Sequence, residues 1–137
     1  MIKPHILFDD NNYSIKIKNF VKNKLGHYAL SKSDLIVVIG GDGFMLGSLK
    51  KYYKYNKKFY GINSGNYGFL MNKFSTKHTL NNLSKSIRVV TISPLEMTVK
   101  TKSNQKKKIN CNKRSFNLTT KQTSSIIVNF KQFKNYN

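Results

Sequence analysis

One carboxylate in the sequence stands where it could take part in chemistry. Asp42 lies in the run Gly40-Gly41-Asp42-Gly43, directly after the apolar stretch DLIVVIG at 34–40. A carboxylate between glycines is open to a ligand, so it could accept a proton from a substrate hydroxyl or help position a metal ion on a phosphate. The glycines would let backbone N–H groups approach phosphate oxygens. The structural alternative is that Asp42 caps the following helix, and the two roles are compatible.

A second glycine-rich segment, GINSGNYGFL at 61–70, follows another strand candidate. Neither segment fits the Gly-x-x-x-x-Gly-Lys-Ser/Thr or Gly-x-Gly-x-x-Gly patterns of phosphate-binding loops. For either segment alone, a tight turn with purely conformational glycines is an equally good interpretation. Loops at the carboxyl ends of parallel strands form the ligand site of an open α/β sheet, however, and both segments are expected there.

The surrounding pattern predicts the elements that would bring these loops together. Strands are predicted at 5–8, 34–40, 58–63, 87–92 and 95–101, and helices at 14–25, 44–54 and 75–85. Ser75 is the expected N-cap of the last helix, and Pro94 separates the last two strands. Alternating strands and helices predict a parallel sheet with right-handed crossovers.

Taken together, the two glycine segments resemble the bacterial NAD kinases. That family carries a Gly-Gly-Asp-Gly turn followed by a Gly-x-Asn-x-Gly-x-x-Gly-Phe-Leu segment. Here IVVIGGDGFMLGSL is followed by FYGINSGNYGFLMN, and ISPLEMTVK resembles the first strand of the family's second domain. The resemblance covers residues 1 to about 105. Gly-Gly-Asp-Gly alone is shared with diacylglycerol and sphingosine kinases, whereas the pair of motifs is more specific.

The resemblance implies phosphoryl transfer from ATP, or from polyphosphate in some members, to the 2′-hydroxyl of the adenosine ribose of NAD, which makes NADP. Asp42 would be the catalytic base. The residues expected to bind the nucleotides are Gly40, Gly41, Asp42, Gly43, Asn63, Gly65, Gly68 and Phe69. Mg²⁺ or another divalent ion would neutralise the donor phosphates, and no side chain is assigned as its ligand.

The implied fold is an open parallel-sheet, Rossmann-like α/β domain of the NAD kinase/diacylglycerol kinase type, over residues 1–93. Residues 94–108 would begin the family's β-rich second domain, which carries an Asn-Glu pair and is expected to be truncated here. Residues 109–137 are expected to form an out-of-frame, disordered basic tail. The chain would then be a truncated form, and its activity stays open.

Back-translation of Cys111–Thr120 is the basis for expecting a change of reading frame. These ten residues can be written TGC AAT AAA CGA AGT TTC AAT CTT ACG ACA. Starting one base later gives Ala-Ile-Asn-Glu-Val-Ser-Ile-Leu-Arg and the start of Gln, which is the segment that a family member would carry at this point. We therefore expect a frame shift near residues 106–110 and out-of-frame translation from residue 111.

The large positive charge of the chain says less about its binding partners than its magnitude suggests. Lys and Arg number 25 against 5 Asp and Glu, but only Arg88 and Arg114 are Arg, the residue suited to bidentate phosphate and base contacts. The chain also has 17 Asn. Lys and Asn share A/T-rich codons, so we interpret much of the lysine excess as codon bias. NAD and ATP are the expected partners, without a specific nucleic acid.

The remaining sequence features favour a cytoplasmic protein without a membrane partner. No apolar run reaches the roughly 18 residues of a membrane span, and the N-terminus lacks a leader pattern. His5, His27 and His78 share no metal-ligand spacing and are expected to sit apart, and the single cysteine, Cys111, is interpreted as an incidental thiol. Full-length members of the family are homo-oligomers, and the state of this chain stays open. The alternatives are a lipid or sugar kinase fragment of the same superfamily and a small basic nucleic-acid-binding protein.

Overall fold

The computed structural model describes residues 1–66, 68–79, 88–92, 95–100, 106–111 and 126–130. In chain order the elements are β1 (Pro4–Phe8), α1 (Asn12–Leu25), β2 (Leu35–Gly40), α2 (Asp42–Tyr52), β3 (Lys58–Asn63), β4 (Asn72–Lys73), β5 (Arg88–Ile92), β6 (Leu95–Lys100), β7 (Lys106–Cys111) and β8 (Ile126–Phe130). All five predicted strands and the first two predicted helices are present, each within two residues of its predicted bounds.

The predicted third helix is described only at its start. The Ser75 side chain accepts a hydrogen bond from the His78 N–H at 3.3 Å, and the Thr79 N–H bonds to the Ser75 carbonyl at 2.9 Å. This is the arrangement expected of an N-cap serine. Residues 80–87 and Pro94 lie outside the described residues.

The parallel α/β sheet predicted from the sequence is confirmed. Strands β1, β2 and β3 lie side by side and run parallel, in a register that pairs Ile6 with Val37 and Val37 with Tyr60. The short strand β4 adds to β3, also in parallel. The carboxyl ends of β1, β2 and β3 therefore meet at one edge of the sheet, which we call the carboxyl edge.

The two faces of β2 carry the described core. All six of its residues are buried, and they alternate between the faces. Ile17 and Val21 of α1 cover the face that holds Leu35, Val37 and Ile39, together with Ile6, Tyr60 and Ile62. Met45 and Leu49 of α2 cover the opposite face, with Ile36, Val38, Phe59 and Leu70. Because each fully buried aliphatic side chain contributes roughly 1.5–3 kcal/mol, this two-sided packing fixes how both helices sit on the sheet.

The two crossovers differ in hand. Both step in the same direction across the sheet, from β1 to β2 and from β2 to β3, yet α1 and α2 lie on opposite faces. The expectation that both are right-handed is therefore wrong for one of them. All six residues of β2 are buried, and α1 and α2 each cover one of its two faces.

Strand β8 lies in the segment for which the sequence predicts no packing. It runs antiparallel to β3, pairing Val128 with Phe59, and parallel to β5. These five residues, and residues 109–111 at the end of β7, lie in strands where a disordered tail is expected. The β-branched apolar run Ile126–Val128 suits a place between two strands. Residues 112–125 and 131–137 lie outside the described residues, so the proposed domain boundaries stay a prediction.

Strands β6 and β7 form an antiparallel pair in a second sheet, in which Cys111 is opposite Leu95. Within the part of the chain that the structure describes, no helix has both the length and the apolar character that a bilayer crossing requires.

Candidate active site

The two glycine-rich segments meet at the carboxyl edge of the sheet. Gly40 and Asn63 are the last residues of β2 and β3, and they are register partners. Immediately beyond them, the Ser64 N–H donates to the Gly40 carbonyl at 3.1 Å. Residues 64–66 and 68–71 follow β3, and we call them together the second glycine loop. The first turns of α1 and α2 lie at the same edge, because each helix directly follows the carboxyl end of a strand.

The Asp42 carboxylate is held by the second glycine loop. Its Oδ2 accepts a hydrogen bond from the Phe69 N–H at 2.8 Å, and its Oδ1 accepts one from the Leu70 N–H at 3.0 Å. Two donors on two different oxygens fix the plane of the carboxylate. An ionised carboxylate has about four acceptor positions, so each oxygen keeps one for a ligand.

The helix-cap alternative for Asp42 does not describe what its side chain does. Helix α2 begins at Asp42 itself, and its N-cap is Gly41, which makes no side-chain cap hydrogen bond. The partners of the Asp42 carboxylate lie 27 and 28 residues along the chain. Its charge still lies at the positive end of α2, where the helix dipole favours it.

Asn63 and Gly68 shape the loop that closes on Asp42. The Asn63 side-chain oxygen accepts a hydrogen bond from the Gly65 N–H at 2.8 Å, which forms a tight turn directly after β3. A Cβ at Gly68 would lie 3.2 Å from Asn63 Nδ2, 3.2 Å from Met71 Cβ and 3.3 Å from Asp42 Oδ1. Glycine at position 68 therefore allows the close approach of the loop to the carboxylate.

No contact in the described part of the chain requires glycine at positions 41 and 43. A Cβ at either position would meet nothing within 4 Å, and neither residue has a positive φ. Gly40 differs, because it is buried and its Cβ would lie 2.9 Å from both an Asp9 carboxylate oxygen and the Phe44 ring. The backbone on both sides of Asp42 is thus open to a ligand, whereas Gly40 holds the turn against its neighbours.

Phe69 presents an apolar surface beside the carboxylate. Its side chain is 72% exposed, although its backbone N–H is bonded to Asp42. The structure thus brings all eight residues expected from the sequence to one edge of the sheet. Their roles in binding and catalysis stay predictions.

Sequence reasoning missed a buried contact behind this edge. Ser14, in the first turn of α1, donates a hydrogen bond from its hydroxyl to that of Ser64 at 2.6 Å. Ser64 lies inside the second glycine segment, but nothing in the residue pattern around Ser14 marks it as a partner. The contact joins residues 50 positions apart, so only the fold reveals it.

The sequence suggested that the three histidines sit apart, but two of them lie together. The rings of His5 and His27 lie 5.1 Å apart, at the opposite edge of the sheet from Asp42. The His27 Nδ1 accepts a hydrogen bond from the Ile6 N–H at 3.2 Å. Partial loss of water around the His27 ring lowers its pKa from 6.5, and the nearby His5 and Lys22 lower it further. Among the residues described, no three His, Cys, Asp or Glu side chains lie together as a metal-binding group.

A parallel sheet with helices on both faces and an open carboxylate turn at its carboxyl edge defines an α/β protein of the open parallel-sheet type. Residues 7–91 match the model of the ATP-NAD kinase N-terminal domain family. The chain therefore belongs to the NAD kinase family.

Named relatives agree with this assignment. The chain is 36% identical over 100 residues to the NAD kinase of Rickettsia peacockii (strain Rustic), an alignment that covers 73% of this chain and 39% of the relative. It is 37% identical over 90 residues to the NAD kinase of Rickettsia akari (strain Hartford), covering 66% of this chain and 34% of the relative. The chain thus spans well under half the length of the curated relatives it matches.

Proposed function

We propose that this chain supplies the N-terminal part of an NAD kinase site. The reaction transfers a phosphoryl group from ATP to the 2′-hydroxyl of the adenosine ribose of NAD and gives NADP. The observation that carries the proposal is the Asp42 carboxylate, which two loop amides orient and which open glycine backbone flanks on both sides. The family to which the chain belongs gives this arrangement its substrate.

Asp42 acts as the general base in this proposal. The ribose O2′ attacks the terminal phosphorus of the donor, so that the O2′–P bond forms while the bond from phosphorus to the leaving phosphate oxygen breaks. The proton of the 2′-hydroxyl passes to Asp42, on an acceptor position that neither amide occupies. Polyphosphate is the alternative donor, since it offers the same terminal phosphoryl group.

The neighbouring residues bind and orient the nucleotides. Gly41 and Gly43 leave space for phosphate oxygens at the positive end of α2. The exposed Phe69 ring offers a flat surface on which a base of the dinucleotide can stack. Asn63 and Gly65 form the turn at which the cleft begins.

The residues at this edge fit a magnesium ion carried by the donor phosphates. Mg²⁺ in kinase sites is held by one or two carboxylates together with substrate phosphates and water. Because Asp42 is the base in this proposal, the donor phosphates and water would hold the ion, and no side chain of the described residues is assigned as its ligand. When bound, the ion would neutralise charge on the transferred phosphoryl group.

The family match favours this function over a lipid or sugar kinase and over a nucleic-acid-binding protein. NAD and ATP are then the partners. A cytoplasmic location, with no membrane or specific nucleic-acid partner, completes the proposal.

The test joins residues 1–105 of this chain to the C-terminal part of the Rickettsia peacockii NAD kinase. We expect the chimera to form NADP from NAD and ATP, and Asp42→Asn to abolish that activity. Asp34→Asn is the matched control, because Asp34 accepts the Lys3 N–H at 2.9 Å at the other edge of the sheet and should be dispensable. Full activity of the Asp42→Asn chimera would refute the assignment of the base.

Phosphorylation of diacylglycerol or a hexose with NAD inert would favour the lipid or sugar kinase instead. Tight, steeply salt-dependent binding of DNA or RNA by the 137-residue chain would favour the nucleic-acid-binding alternative.

A further inference from the structure

A buried pair of hydroxyls joins α1 to the second glycine loop. The Ser14 hydroxyl donates to the Ser64 hydroxyl at 2.6 Å. Ser14 is 0% exposed and Ser64 is 7% exposed, so water does not readily replace either partner. A buried hydroxyl that loses its partner costs free energy, and the bond therefore holds the helix and the loop together.

Ser64 connects this pair to the carboxylate turn. Its backbone N–H donates to the carbonyl of Gly40, two residues before Asp42, at 3.1 Å. From Ser64 the loop runs to Phe69 and Leu70, whose N–H groups bind the Asp42 carboxylate. The second glycine loop is thus fixed at its first residue by α1 and β2, and at its far end by Asp42.

We propose that Ser14 is a positioning residue for the phosphoryl-transfer site, acting through Ser64 to hold the second glycine loop and with it the orientation of the Asp42 carboxylate. This inference rests on the proposed function, in which Asp42 is the base. Neither glycine motif contains Ser14, so a residue of α1 helps to set the geometry of a site built from the loops after β2 and β3. When the Ser14 hydroxyl is lost, the loop opens from its Ser64 end and the two amides leave the carboxylate more often.

The experiment measures the loop in the free 137-residue chain by nuclear magnetic resonance. The chemical shifts of the Phe69 and Leu70 amide protons report on their bonds to the Asp42 carboxylate, because a hydrogen-bonded amide proton resonates downfield of a free one. In Ser14→Ala we expect both amide protons to move upfield. We also expect hydrogen exchange of the two amides to be about tenfold faster relative to the Val37 amide in β2, which is the effect of losing one net hydrogen bond of average strength.

Ser33→Ala is the matched control. Ser33 is 5% exposed, and its hydroxyl donates to the Leu30 carbonyl at 2.9 Å before β2, at the other edge of the sheet. This variant also loses a buried serine hydroxyl, but it should leave the chemical shifts and the exchange of the loop amides unchanged. Equal effects of Ser33→Ala and Ser14→Ala on those amides would overturn the proposal, as would a uniform acceleration that includes Val37.

The double variant Ser14→Ala/Ser64→Ala covers the case in which the single variant does not fold. It removes both partners, so no buried hydroxyl of the pair is left unsatisfied, which is the tolerated way to delete a hydrogen bond. Loop amides that behave as in the unchanged chain in this double variant would also overturn the proposal. Because all readouts come from the free chain without substrates, their failure leaves the kinase proposal standing. Failure of the kinase assay, in turn, does not alter them.

Discussion

Replacing Asp42 with Asn changes the second glycine loop as well as the charge of the proposed base. The Asp42 carboxylate accepts one N–H on each oxygen, from Phe69 and from Leu70. An asparagine side chain has one acceptor oxygen and one carboxamide NH2 group, which can only donate. One of the two loop amides would therefore face another donor, and the other would bond to a neutral acceptor.

The size of the effect follows from these two bonds. A hydrogen bond to a charged group contributes about 1.5–3 kcal/mol, and the bond to Phe69 lies at the surface, where water can replace it. The lower end of the range therefore applies. We expect Asp42→Asn to raise the opening of the loop about tenfold, at a cost of about 1.5 kcal/mol.

Hydrogen exchange of the Phe69 and Leu70 amides in the free chain measures this opening, with the Val37 amide of β2 as the internal reference. Asp34→Asn is again the control, since it removes a carboxylate at the opposite edge of the sheet. Exchange at Phe69 and Leu70 that is the same in Asp42→Asn and in the unchanged chain would show that the carboxylate does not hold the loop. Loss of NADP formation by the Asp42→Asn chimera would then report on the proton transfer alone.

Three further predictions follow from the described contacts and the sequence. Gly68→Ala should speed hydrogen exchange at the loop amides, because its Cβ would lie 3.3 Å from Asp42 Oδ1. Gly43→Ala should change the free energy of unfolding by less than about 0.5 kcal/mol, yet lower NADP formation by the chimera. Equal losses of folding stability for the two variants in denaturant titrations would contradict this pair of predictions. Because the pKa of His27 is lowered in the folded chain, the unfolded chain binds more protons below pH 6.5 than the folded chain does. Denaturant titrations should therefore show the free energy of unfolding falling as the pH drops through that range. A His27→Gln variant with the same pH dependence would show that His27 is not the cause. DNA sequencing across the codons of Cys111–Thr120 should give the Asn-Glu segment one base out of frame, and a shifted frame without that segment would end the frame-shift proposal.

The sequence predicted the fold better than the contacts within the site. Apolar runs predicted β1, β2, β3 and β5, and β2 and β3 are buried runs bounded by glycine or polar residues. The short strand β4 was not predicted. The hand of the crossovers and the pairing of β8 depend on which faces and edges the rest of the chain leaves uncovered. Those are properties of the packed molecule, and no local pattern encodes them.

The site shows the same division. The positions of Asp42 and Asn63 followed from two strands ending side by side. The partners of Asp42 did not, since they are backbone amides and any residue type provides one. The contact of Ser14 with Ser64 has no signal in either residue's neighbourhood, because it depends on how α1 docks against the sheet.

The double hold on Asp42 also links bond making to the release of the loop. With Asp42 as the base, the carboxylate becomes a neutral acid once it has taken the proton of the ribose hydroxyl. A neutral acid is a weaker acceptor than a carboxylate, so the Phe69 and Leu70 amides lose part of their attraction at the moment the product forms. When that proton leaves to water, the negative charge of Asp42 returns and both loop amides bind it strongly again. Each turnover would therefore weaken and then restore the contact between the loop and Asp42.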